Sequence, residues 1–191
     1  MSFDITTLPD LIQEQLYKWD EHIRADHTQD GIYRPRGLWV QGDRGEGSSF
    51  VARGAYVHAE SLVDRPFGTE AFNSVVDARD LTEMVRERWS LDQSVRQHPN
   101  DTDLWSQSNR LDLRLDWLLS VSPVTFVDNL YSANYDIGFW NRHIWPAFDG
   151  KIKKGKAVVV ATDLSVKDVI GSHWQNLYTG CPAVLPAHAE R

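Results

Sequence analysis

Apolar positions along the chain follow two rhythms. Leu8, Ile12, Leu16, Trp19 and Ile23 recur every three or four residues, which is one stripe of an amphipathic helix over 7–25. Thr7 is its predicted cap, with Asp10 three residues on. A polar break at 26–31 containing Asp-Gly, continued irregularly over 33–37, separates this helix from the rest. Residues 37–41, GLWVQ, are a short apolar run that predicts a buried strand, and 50–60 suits a helix. A weaker strand at 74–77 precedes a helix over 80–97, whose period is kept by Leu81, Met84, Val85, Arg88, Leu91 and Val95 and broken at 98–101. Another helix is expected over 103–119, with Leu104, Leu111, Leu115 and Leu118 on one side. A strand at 124–128 ends in an acid, and a helix is read over 136–148. The strongest strand, 156–162, is followed by a helix over 166–178 and an edge strand over 182–185.

Strands and helices therefore alternate, and the strands are nearly continuous in apolar residues. That is the pattern of an α/β fold, a parallel sheet with helices on both faces. At 191 residues the chain is expected to form one domain over 31–191, with 1–30 as a helical extension. Hydrophobic residues at 41% and charged residues at 25% exclude extended disorder and coiled-coil character for the bulk of it.

Charge and chemistry narrow the function. The longest aliphatic run, 157–161, is far shorter than a membrane span, and the first ten residues lack the basic start and apolar stretch of a secretory signal. Cys181 is the sole cysteine and fits a reducing compartment, so the cytoplasm is the expected location. The seven histidines show no zinc spacing, and no G-x-S-x-G elbow supports a serine hydrolase. A net charge of −7 argues against strong unaided DNA binding.

Three sites carry candidate chemistry. The first is Gly42-Asp43-Arg44-Gly45-Glu46-Gly47-Ser48-Ser49, followed by Phe50, between a strand and a helix. Glycines let backbone N–H groups converge on an anion at a helix N-terminus, and the motif is G-x-x-x-x-G-K-[ST]. Gly42 and Gly47 hold the glycine positions and Ser49 the Mg²⁺-binding hydroxyl, but Ser48 stands where the motif has lysine. A glycine-rich turn without ligand is the other reading of the same residues. The second site is Asp128, at the carboxyl end of its strand, where an acid can hold Mg²⁺. Asn129 follows it in place of the second acid that would take a proton from water. The third is the polar end of the 156–162 strand, Thr162 and Asp163, which is the place of a γ-phosphate sensor; a carboxylate there repels phosphate.

Taken as a set, GLWVQGDRGEGSSFVAR at 37–53, SVVDARDLTEMVRERW at 74–89, VTFVDNL at 124–130 and KAVVVATDLSVKDV at 156–169 resemble the AAA+ P-loop ATPases of the DnaC/IstB type, the helicase loaders and transposition helpers. The resemblance covers about 31–178. It implies a P-loop NTPase fold, a five-stranded parallel sheet between helices, and ATP or ADP with Mg²⁺ as cofactor. It also implies single-stranded DNA contact, homo-oligomerisation, and a replicative helicase or another replication protein as partner. Gly42, Gly45, Gly47 and Ser49 become phosphate- and Mg²⁺-contacting residues, with Asp43, Arg44, Glu46, Ser48 and Phe50 completing the loop. Asp128 becomes the Mg²⁺ acid, and Asp163 stands at the sensor position.

Departures from the family pattern point to a pseudo-ATPase. Besides the lysine and the second acid, the arginine finger is missing, because no arginine lies between His143 and Glu190. Little sequence follows the last strand to build a helical lid. The expected role is a loader or loader-like adaptor in DNA replication, of phage or mobile-element origin, working by protein contacts. A slow genuine ATPase, or an interaction protein that mimics a loader and blocks a partner, are the alternatives. Lys151, Lys153, Lys154 and Lys156 form the one basic run and are candidate DNA contacts, or else a solvated loop before a strand. Trp140 and Trp145 are candidate surface stacking groups or interface anchors.

Overall fold

The computed structural model describes residues 5–43, 45–63, 73–169 and 175–183. After a 3-10 turn at Ile5–Thr7 come α1 (Asp10–Arg24), a small hairpin of β1 (Thr28–Gln29) and β2 (Ile32–Tyr33), β3 (Gly37–Gln41) and α2 (Ser48–Leu62). Then follow β4 (Val75–Asp77), α3 (Ala78–Gln97), α4 (Thr102–Asp116), a π-helical turn at Trp117–Val121 and β5 (Val124–Leu130). The chain continues through α5 (Ile137–His143), α6 (Trp145–Lys153), β6 (Ala157–Thr162), α7 (Val166–Val169) and β7 (Tyr178–Pro182).

Five strands form one all-parallel sheet in the order β4-β5-β6-β3-β7. Within β3 the side chains alternate between two cores. Leu38 and Val40 face α1 and α2, joined by Phe126 and Val159 from the neighbouring strands. Trp39 faces the opposite side, where Val127, Val158 and Val160 meet α3, α5 and α6. Each fully buried side chain of this size contributes roughly 1.5–3 kcal/mol. The first helix is part of this packing, since Ile12, Leu16 and Trp19 are buried in the same core as α2.

Short polar side chains set several helix starts. Asp77 accepts from the Arg79 N–H, Asp101 from the Asp103 and Leu104 N–H groups, and Asp136 from the Phe139 N–H. Thr7 does not cap α1; Pro9 holds the N-cap position and no side chain closes it. The stretch 136–148 is two helices, not one. Pro146 lacks an N–H and cannot continue α5, so the chain restarts as α6 with proline in its first turn. Of the helix read over 166–178, Val166–Val169 is helical, residues 170–174 lie outside the described ones, Gln175–Leu177 is a 3-10 turn, and the edge strand begins at Tyr178 instead of 182. Gly37 makes that edge pairing feasible, because a Cβ there would meet the Tyr178 ring at 2.4 Å.

Chain direction changes between β3 and β6. Leaving β3, the chain enters α2 on one face; leaving β6, it enters α7, whose Val169 is buried on the other. Neighbouring strands whose following helices depart to opposite faces form a topological switch point, with a crevice outside their carboxyl ends.

Candidate functional site at the carboxyl ends of the strands

The glycine loop sits in that crevice. Gly45 and Gly47 have left-handed backbones, with φ of 94° and 91°, and Gly47 is the N-cap of α2. A side chain at either place would be strained, which is why the loop needs glycine there. The first turn of α2 thus presents its N–H groups to the loop's interior. Arg44 lies outside the described residues.

Ser49 and Asp128, far apart in sequence, meet here: the Ser49 hydroxyl donates to Asp128 Oδ1 at 2.6 Å. The strand that carries the acid is irregular at this point. A register shift falls between Val127 and Leu130, and Asn129 adopts a left-handed backbone with φ of 57°. In that conformation the Asn129 N–H turns back onto Asp128 Oδ1 at 2.9 Å, and its side-chain amide donates to Asp77 Oδ2 at 2.8 Å. Asp77 and Asp128 are register partners on adjacent strands, so Asn129 bridges two acids near the carboxyl ends of β4 and β5. Ser49 and Asp128 form a hydroxyl–carboxylate pair of the type that holds Mg²⁺ beside a nucleotide. No group of three or more metal-ligating side chains exists among the described residues.

Three side chains beside the loop are uncharged or already hydrogen-bonded. Ser48, the first residue of α2, is buried and short. Glu46 turns its carboxylate onto its own loop, accepting from the Asp43 N–H at 2.8 Å, while the Glu46 N–H donates to the Asp43 carbonyl at 3.0 Å. Asp163, just past β6, is occupied by Ser132, accepting from its N–H at 2.8 Å and its hydroxyl at 3.0 Å. Thr162 is buried and structural: its hydroxyl donates to the Leu130 carbonyl and accepts from the Leu164 N–H.

Beside the loop lies a cavity of about 440 Å³, with Trp39, Gln41, Gly42, Glu46, Asp163 and Cys181 in its wall. Its described lining carries acids and no cation. Burial pushes the Cys181 thiol up to about 12, so it is no nucleophile at neutral pH.

Loop, Asp128 and Asp163 therefore lie at one end of the sheet, but Ser49 and Asp128 form one pair while Asp163 belongs to the cavity wall. Sequence reading missed Asp77, which ends β4, and it ended the next strand at Asp128, whereas β5 runs on to Leu130. It also missed Trp39 and Cys181 as cavity residues and Glu46 as the acceptor for the loop's own N–H. The basic run is corrected. Lys151 is buried, with Nζ bonded to the Leu118 carbonyl, Ser122 Oγ and Thr125 Oγ1. Lys156 is held by the Ser120 and Val121 carbonyls, and Lys153 pairs with Asp149 at 2.9 Å, which leaves Lys154 as the exposed member. Trp140 and Trp145 are core residues, not surface groups. No helix among the described residues is long and apolar enough to cross a membrane.

No protein-family model matches the chain, and a comparison with curated proteins finds no match.

Proposed function

We propose that the chain is a helicase-loader-like adaptor of DNA replication, built on a P-loop scaffold and acting through protein contacts with little or no ATP hydrolysis. The observation that carries this reading is the Ser49–Asp128 hydrogen bond at the switch point, directly behind a left-handed Gly47. Those residue types, in that order along a parallel sheet, support the likeness to the DnaC/IstB-type proteins. The absent hydrolytic groups support the adaptor role. Ser48 carries no charge, Asn129 can orient a water but not take its proton, and Asp163 is spent on Ser132.

Titration with a fluorescent ATP analogue, with and without Mg²⁺, tests the scaffold. Native chain is expected to bind weakly or not at all, and Ser48→Lys to bind roughly tenfold or more tightly, as a charge-assisted bond to phosphate would give. Equal, undetectable binding by both chains overturns the P-loop reading. ATP turnover by the native chain that Asp128→Ala abolishes would make it a true ATPase. Affinity capture with the full chain tests the role: a replicative helicase is the expected partner, and recovery of a different partner without helicase overturns the loader.

A further inference from the structure

An open sheet ends in edge strands, and β4 is one of them: no strand lies beyond it among the described residues. An edge presents backbone N–H and C=O groups that another chain can pair with. Alternation along β4 says which groups these are. The Ser74 carbonyl accepts from the Phe126 N–H, and Val75 is the register partner of Phe126. Residues 74 and 76 therefore turn their backbone groups toward β5, and residues 73 and 75 turn theirs outward.

Side chains occupy that outward row. The Arg114 guanidinium, from the last turn of α4, donates through one nitrogen to the Asn73 carbonyl and through another to the Val75 carbonyl, the second at a longer 3.4 Å. The Val75 N–H is taken by the Asn73 side-chain oxygen at 2.8 Å. Beyond it, Asp77 turns its carboxylate onto the Arg79 N–H, and the chain leaves the edge as α3. Both backbone groups of Val75, and the carbonyl of Asn73, are thus capped by side chains and not by a strand.

Arg114 differs from its neighbours in how it is used. Arg79, Arg86 and Arg88 of α3 each pair with a carboxylate. Arg114 pairs with none among the described residues, and burial alone holds its guanidinium below the ordinary value. It brings to β4 the donors that a neighbouring strand would otherwise bring.

We propose that Arg114, together with Asn73, closes the β4 edge against a second copy of this chain. The groups under the cap are backbone groups, so what can replace the cap is an extended backbone. Every copy carries the same edge. Two such edges related by a two-fold axis pair antiparallel, each supplying what the other lacks. The contact needs no nucleotide and does not involve the glycine loop.

Sedimentation of the full chain over a rising concentration series tests it, with the native chain as baseline. Arg114→Met keeps most of the stem and removes the donors, and β4 stays anchored by the Trp117 indole, which donates to Ser74 Oγ at 3.2 Å. Self-association should tighten roughly tenfold, because a charge-assisted hydrogen bond no longer has to be given up. Arg114→Lys retains a donor and should fall between the two. Asn73→Ala, at an exposed side chain, frees the Val75 N–H without touching α4 and should tighten association by a few-fold. It also keeps the test open should Arg114→Met fail to fold. In the double variant, hydrogen exchange at the Val75 amide should slow as concentration rises, while amides of α1 stay unchanged. Association no tighter than the native chain's in the folded variants overturns the proposal. So does association that leaves Val75 exchange unaltered, which would place the contact elsewhere. Neither result bears on the ATP-analogue titration, so the two readings fall separately.

Discussion

Two places in the molecule handle charge in opposite ways. At the carboxyl ends of the strands the glycine loop keeps left-handed glycines at the start of α2, and Ser48 there carries no charge. Toward the amino end of β5, the Lys151 amine is buried at 1% exposure without an ion pair among the described residues, held by one carbonyl and two hydroxyls. Geometry and charge have come apart at both. A loop can keep its shape through glycine conformations and internal hydrogen bonds after its charged group is gone. A lysine can be kept inside by neutral oxygens and by the packing of its stem. A charge in the sequence therefore does not mark a site, and a missing one does not erase it.

The largest effect expected from breaking this contrast is at Lys151. Lys151→Ala removes four methylenes from the core, so a loss of about 2–4 kcal/mol is expected in urea unfolding. Lys151→Met keeps the stem's volume. The oxygens it leaves can satisfy one another, because the Thr125 hydroxyl donates to the Leu118 carbonyl and Ser122 Oγ bonds to the Val124 carbonyl. The Met variant should stay within about 1 kcal/mol of the native chain at neutral pH. A Met variant as unstable as the Ala variant would mean that the ammonium, not the packing, holds this corner.

Protonation gives the next effect. Loss of hydration on burial, with a smaller push from Lys156, lowers Lys151 to about 6, against a small opposing pull from Asp116. Between that value and its ordinary one the unfolded chain binds a proton that the folded chain does not. Stability then rises with pH across the window, by up to about 1.4 kcal/mol per pH unit, and the rise is absent below about 6. Urea midpoints at several pH values from 6 to 8.5 should climb for the native chain and lose that slope in Lys151→Met. Parallel profiles for the two chains would show that Lys151 stays charged when folded.

These cases show how much was legible beforehand. Strand–helix alternation and the apolar runs reveal the parallel sheet, and the glycine loop and Asp128 fall where their spacing puts them. Lys151 was not legible, because a basic run looks the same whether its first member points outward or inward. Its partners are Leu118, Ser122 and Thr125, remote in sequence and without charge. The break at Pro146 was readable from proline's missing N–H, but the aromatic period around it reads straight through. The turn of Asn129 depends on a register shift that only strand pairing creates.

At the loop, the pair that joins it to the sheet gives a smaller effect. Ser49→Ala removes the hydroxyl that donates to Asp128, although Asp128 keeps the Asn129 N–H. A loss of about 1 kcal/mol is expected in thermal or urea unfolding. Asp128→Ala should cost more, because it also strands the Asn129 N–H, and the double variant should cost little more than Asp128→Ala alone, since both changes remove the Ser49–Asp128 bond. Additive losses would mean that the two residues act separately and that the loop is not anchored to the strand.

The smallest effect on stability, and the sharpest for the comparison, is at Glu46. Its carboxylate engages one of the loop's own N–H groups, that of Asp43. Glu46→Gln keeps an acceptor oxygen in place and removes the charge, so stability should change by only a few tenths of a kcal/mol. Phosphate binding should change more, because an incoming anion no longer meets a like charge at the cradle's edge. Calorimetry with inorganic pyrophosphate on Glu46→Gln, Ser48→Lys and the double variant separates the two causes. If the missing lysine is the whole defect, only the variants carrying Ser48→Lys bind. If the loop's own acid also excludes the ligand, the double variant binds more tightly than Ser48→Lys alone. Equal affinity in those two variants would show that Glu46 serves the turn and nothing else.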